Sequence, residues 1–139
     1  MTKSIFTKII EGDEPAEVLY NDDNIIIVLS RAPMGIGHSL VIPKRPVERF
    51  YDMRADEYNQ LMQVSRKFAL VLDAVFRQKV VALQLMGLGV NHVHVHLVPI
   101  NDEADMNHDR ATFGPLEPLK PVADKIRSYL ADHPLSSIQ

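Results

Sequence analysis

Residues 91–99 read Asn-His-Val-His-Val-His-Leu-Val-Pro. His92, His94 and His96 alternate with Val93, Val95 and Leu97, a period of two that predicts a β-strand over 92–98. The apolar set then faces a core. The three imidazoles share the opposite face, about 6–7 Å apart along the strand. Imidazole has an unperturbed pKa of about 6.5, closer to neutrality than other side chains. A row of three offers acid, base, nucleophile or metal-ligand groups from one surface.

Working outward, Val80–Leu85 is a second strand, and Gly87 and Gly89 punctuate the turn between the two. Residues 55–78 are the clearest helix, with Tyr58, Leu61, Met62, Phe68, Leu72, Val75 and Phe76 at helical spacing. Toward the N-terminus, a short helix over 3–11 carries the stripe Ile5, Phe6, Ile9 and Ile10 and stops at Gly12 and Pro15. Strands follow at Val18–Tyr20, Ile25–Leu29 and His38–Pro43, the last ended by its proline. A turn at Asn21–Asn24 and a loop over 30–37 join them as an antiparallel meander. Beyond the histidines, 101–118 is polar and proline-bearing and reads as surface loop. Leu119, Val122, Ala123, Ile126 and Leu130 predict a final amphipathic helix. Strands that do not alternate strictly with helices predict the α+β class with an antiparallel sheet.

The 139 residues match one domain, here 1–139, with a core over about 4–100 and a C-terminal loop and helix over about 101–132. Hydrophobic content of 46% suffices for a packed core. A net charge of −3 gives no bulk attraction to nucleic acid or anionic membrane, so neither is an expected partner. The absence of cysteine excludes disulfides, thiol catalysis and thiolate metal sites. The start Met-Thr-Lys-Ser-Ile-Phe-Thr-Lys lacks a leader's apolar stretch, and no run approaches the roughly 20 apolar residues of a membrane span. A cytoplasmic protein is the expectation.

Three readings of the histidine row compete. It is a solvated strand face, although three imidazoles at strict spacing are hard to ascribe to chance. It is a metal site, in which His-x-His places two nitrogens on one ion and a third ligand comes from elsewhere, with Asp102, Glu103 and Asp105 nearby in sequence. Or it is a catalytic row. There a neutral imidazole attacks phosphorus, a covalent intermediate splits one hard step into two, and the flanking imidazoles bind phosphoryl oxygens or handle the leaving group.

His92-Val-His-Val-His-Leu-Val98 resembles the signature of the histidine triad (HIT) superfamily, His-φ-His-φ-His-φ-φ with φ apolar. Gly37-His38-Ser-Leu-Val-Ile-Pro-Lys44 resembles the family's Gly-His-x-Leu-Val-Ile-Pro-Lys strand. Ile5-Phe6 through Ile9-Ile10-Glu11-Gly12, then Pro15-Ala16, resembles its N-terminal segment, and Asp22-Asp23 before an apolar strand fits too. The resemblance runs in order over roughly residues 4–100. It implies a HIT-like α+β fold with a five-stranded antiparallel sheet and two main helices, in a homodimer. It implies hydrolase or transferase chemistry at the α-phosphate of a purine nucleotide or dinucleotide, without a cofactor. His94 would be the nucleophile and form a nucleotidyl-phosphoramidate that water hydrolyses. His92 would orient it, partly through its backbone carbonyl, and His96 would contact phosphate oxygens or the leaving group. His38 matches an additional histidine beside the site, which either contacts substrate or orders the loop–strand junction.

The chain also departs from the family pattern. Where some members carry half of a zinc site as Cys-x-x-Cys, this chain has Ser4 and Thr7, so no metal is expected there. The ribose-binding position, usually Asp or Asn, is Ser30, whose single hydroxyl cannot accept from two ribose hydroxyls as a carboxylate can. The loop before the triad, Leu85–Asn91, is short, as in a bacterial branch of these hydrolases. Backbone N–H groups of Gly89 and Val90, the amide of Asn91 and the side chain of Gln84 are its candidate substrate contacts. These departures keep alive a nucleotide- or metal-binding protein without turnover, and a nucleotidyl transferase using the same His94 intermediate.

Overall fold

Two β-branched runs form the centre of the sheet. Ile25–Leu29 (β2) pairs antiparallel with Ser39–Pro43 (β3), placing Ile27 opposite Val41. Every residue of both strands is buried, because both sheet faces are covered; hence their continuous rather than alternating apolar pattern. Val18–Asn21 (β1) pairs with β2, while Val95–Ile100 (β5) inserts between β3 and Val80–Gln84 (β4). The result is a five-stranded antiparallel sheet in the order β1-β2-β3-β5-β4, the expected sheet. This computed structural model describes residues 3–139. Met1 and Thr2, which begin the segment read above for a leader, lie outside the described residues.

One face of the sheet carries two helices, Ala55–Phe76 (α2) and Lys120–Asp132 (α3). Phe68, Leu72 and Ile126 meet Ile27, Val41, Val95 and Leu97 in the main core, each burial contributing about 1.5–3 kcal/mol. The sequence pattern carries α2 to residue 78, but the helix ends at Phe76. Arg77 turns into the left-handed region at φ 52° while its N–H still reaches Asp73 O. Gly37, at φ 81°, must be glycine, because a Cβ there would stand 2.6 Å from the Phe76 ring.

The other face is covered by a short helix and a loop. Ile5–Glu11 (α1) is capped by Ser4, whose Oγ accepts from Thr7 N, and it ends at Gly12 with φ 84°. It packs Phe6 on Ile26, Val28, Leu40 and Ile42. Segment 101–118, read as surface loop with its role left open, carries 3₁₀ turns at Glu103–Asp105 and His108–Arg110 and enters a third at Glu117–Leu119. It folds back so that Met106 and Ala111 cover Met34, Val98 and Ile100. No helix among the described residues is long and apolar enough to cross a membrane.

The histidine strand begins three residues later than its pattern predicts. The ladder starts at Val95, and His92, Val93 and His94 lie outside it. Proline 43 is the physical reason: it offers β5 no N–H, and its carbonyl accepts from His92 Nε2 at 2.7 Å. Val93 N donates to Val47 O instead, in the loop beyond β3. The alternation itself holds: Val93, Val95 and Leu97 all enter the main core, and the histidines face away from it.

Candidate active site

Between α1 and the 101–118 loop the second sheet face opens into a cleft of about 300 Å³. Its floor holds His94, His96 and His38, its apolar wall comes from α1 and β2, and Ala111, Phe113 and His108 close the far side. His92 is not in this cleft; it is 1% exposed and borders an adjoining cavity with Ser4 and Thr7.

Hydrogen-bond partners fix the proton positions. A carbonyl can only accept, so His92 carries its proton on Nε2, facing Pro43 O, and its Nδ1 takes a hydrogen bond from Ser4 Oγ at 3.4 Å. His94 must likewise be protonated on Nδ1, which lies 2.7 Å from His92 O. That leaves the lone pair on Nε2. His38 Nδ1 accepts from Met34 N at 2.9 Å, so its proton is on Nε2 and is donated to His96 Nδ1, also at 2.9 Å. His96 therefore carries its remaining proton on Nε2. The floor of the cleft presents one nitrogen lone pair, on His94, beside one N–H donor, on His96.

Burial holds all four rings neutral at physiological pH. It pushes His38 down to about 3 and His96 to about 4, and neighbouring imidazoles push in the same direction. His94 and His92 are also lowered by burial, against which their carbonyl acceptors act. Phe6 adds to the apolar surroundings: its ring lies 4.7 Å from that of His94 and 6.0 Å, edge-on, from that of His92. A neutral His94 with a free Nε2 can act as nucleophile, whereas a protonated one cannot.

The other residues singled out by the sequence divide into two groups. Ser30 lines the cleft, nearly buried, and its Oγ accepts from Ala32 N, which leaves one lone pair and its O–H available. Gln84 ends β4 opposite His96 and accepts from His108 Nε2 at 2.7 Å. Gly89 and Asn91, by contrast, border the adjoining cavity with His92, while Val90 and Ile5 wall both spaces. The three histidines of the row do not converge, and no group of three or more His, Asp or Glu among the described residues is arranged to hold a metal ion. Sequence reasoning missed Phe6 as a site residue and missed His108, whose ring stands edge-on 5.9 Å from His96. The sequence signal for His108 was simply a fifth histidine, lying in a segment read as loop.

The architecture has many solved counterparts. A HIT-like protein involved in cell-cycle regulation from Bartonella henselae superposes with a TM-score of 0.81 at 26% identity, covering 92% of this chain and 96% of that one. A HIT family hydrolase from Legionella pneumophila matches at TM-score 0.59 and 27% identity, over 69% of this chain and 91% of its own. By sequence, an uncharacterized HIT-like protein of Methanocaldococcus jannaschii is 36% identical over 99 residues, 68% of this chain and 77% of that protein. The sequence profile of the HIT domain matches residues 11–103, from the end of α1 through β5 into the loop that covers the cleft. With the alternating histidines seated on that sheet, the chain belongs to the HIT domain family, which includes hydrolases.

Proposed function

We propose that this protein is a nucleotide hydrolase that cleaves at an α-phosphate, of the phosphoramidase or dinucleoside polyphosphate hydrolase type. The observation that carries the reading is the bond from His94 Nδ1–H to His92 O, which leaves Nε2 as the free lone pair of a cleft-lining residue. His94 Nε2 attacks phosphorus, the N–P bond forms, and the leaving group departs with the electrons of the broken bond. The imidazolium that results keeps its Nδ1–H on the His92 carbonyl, so charge develops where an acceptor already stands. His96 donates its Nε2–H to a phosphoryl oxygen, positioned by His38. Water then breaks the N–P bond and releases the nucleoside monophosphate.

The apolar wall from Phe6, Ile9 and Val28 suits a purine base, and Ser30 accepts one ribose hydroxyl. A long leaving group passes over Val90 toward Gly89 and Asn91, whose amides then meet its phosphates. The protein acts as a homodimer through β4: this edge strand and the turn after it expose Val80, Leu83, Met86 and Leu88. The test is turnover of adenosine 5′-phosphoramidate by His94→Ala. Loss of roughly 10³-fold or more in kcat, with an unchanged far-ultraviolet circular dichroism spectrum, is expected for a missing nucleophile. Unchanged turnover would overturn the assignment.

A further inference from the structure

A phosphoramidate or phosphate-ester leaving group needs a proton as it departs, and the cleft contains few groups able to give one. Arg31 does not release its proton. Its guanidinium is also committed, with Nε on Gly114 O at 3.0 Å, one NH group 3.7 Å from Glu14 and its plane over the Phe113 ring at 4.4 Å. His38 cannot take a second proton on Nδ1 without setting N–H against the Met34 N–H. A second proton on His96 Nδ1 would oppose the proton that His38 already donates there. His94 Nε2 is occupied by phosphorus at the moment of need, and His92 borders the other cavity.

His108 differs from all of these. Its Nε2–H donates to Gln84 Oε1 at 2.7 Å, and its Nδ1 has no hydrogen-bond partner among the described residues. A proton added at Nδ1 therefore leaves the Gln84 bond intact. The ring lines the cleft on the side facing His96, across from the apolar wall. We propose that His108 is a third catalytic histidine beside His94 and His96, the general acid that protonates the leaving group, and that Gln84 is its positioning residue. The inference rests on the nucleophilic reading of His94. In the first step the N–P bond forms at His94 Nε2. The bond from phosphorus to the leaving atom breaks, and that atom keeps the electron pair and takes the proton from His108 Nδ1. In the second step, neutral His108 takes a proton from the attacking water, the new P–O bond forms, and the N–P electrons return to His94. His108 ends protonated, as it began. The titratable and charged groups around it are His96, with His38 and His94 behind, Arg31 and Glu14 in the lining of the same cleft, and Asp109 and Arg110 in its own turn.

The test compares two leaving groups on one nucleotide. Adenosine 5′-phosphoramidate expels an amine that must be protonated; the 4-nitrophenyl ester of the same nucleotide expels a weakly basic phenolate. His108→Ala should lose about 10²-fold more kcat/KM on the first substrate than on the second, the low end of what a general acid contributes. It should also abolish the alkaline limb of the phosphoramidate pH profile. Gln84→Glu should move that limb upward, since a carboxylate partner favours the protonated imidazole. Equal losses on both substrates with an unmoved limb would overturn the proposal and leave His108 a structural residue. Full turnover by His94→Ala would instead remove the nucleophilic reading beneath it, so the two failures are distinguishable.

Discussion

Lowering the pH from about 7.5 to about 5 should destabilise this protein through the cleft histidines. His38 is 2% exposed and held down to about 3, whereas in the unfolded chain it titrates near 6.5. Between those values the unfolded state holds a proton that the folded state refuses, so unfolding takes up a proton and stability falls as pH falls. From 6.5 to 5 is about 1.5 pH units at 1.36 kcal/mol each, a loss of about 2 kcal/mol from His38 alone. His96, held to about 4 and bonded to His38, pushes the same way, as do the lowered His92 and His94. The perturbed carboxylates Asp22, Glu57 and Asp105 are all lowered, so they titrate beneath this window. A domain typically holds 5–15 kcal/mol, so the effect is a visible fraction of the total. The chain has no tryptophan, so urea unfolding at the two pH values is followed by far-ultraviolet circular dichroism. His38→Gln, which keeps an acceptor for Met34 N and a donor for His96, should flatten the dependence. Equal stability at both pH values in the parent protein, or an unchanged slope in the variant, would refute the reasoning.

Gly37→Ala should lower stability by about 2 kcal/mol or more, since it places a Cβ both at positive φ and against the Phe76 ring, whereas Gly12→Ala, at similar φ with open space around it, should cost about 1 kcal/mol. Thermal unfolding of the pair separates ring clash from backbone strain. Leu83→Lys, on the exposed apolar edge of β4, should shift sedimentation toward the monomer while leaving the circular dichroism spectrum unchanged. A sedimentation coefficient unmoved by the substitution would refute the proposed pairing through β4.

The sheet was largely legible because its strands carry strong local signals. Ile25–Leu29 stands between an Asn-Asp turn and a proline-glycine loop, and the structure begins and ends β2 at those residues. α2 was equally legible from its apolar stripe, and only Arg77, a residue that rarely adopts positive φ, hid its end. What stayed hidden was long-range. No local pattern tells that Val93 N would find Val47 O, or that polar segment 101–118 would turn back over β5 and bring His108 to Gln84, 24 residues away. Gly89 and Asn91 were read beside the triad because they precede it in sequence, but the turn at His92 carries them to the neighbouring cavity. Sequence adjacency stops implying spatial adjacency where the strand stops.

That stop has a chemical consequence. Had the ladder continued through 92–94, the His92 carbonyl would have been committed to an N–H on a neighbouring strand. Pro43 stands opposite Val93 and cannot donate to it, so the pairing with β3 stops there, and the proline directs its own carbonyl to the His92 ring instead. On the other side, the register of β4 and β5 places His92 opposite Leu88, beyond the end of β4 at Gln84, so its oxygen has no ladder partner and meets His94 Nδ1 at 2.7 Å. Two strand ends thus act together: the proline that ends β3 pins the first histidine by its ring, and the end of β4 leaves that residue's carbonyl for the second. Where β4 stops therefore sets which nitrogen of His94 is free to react.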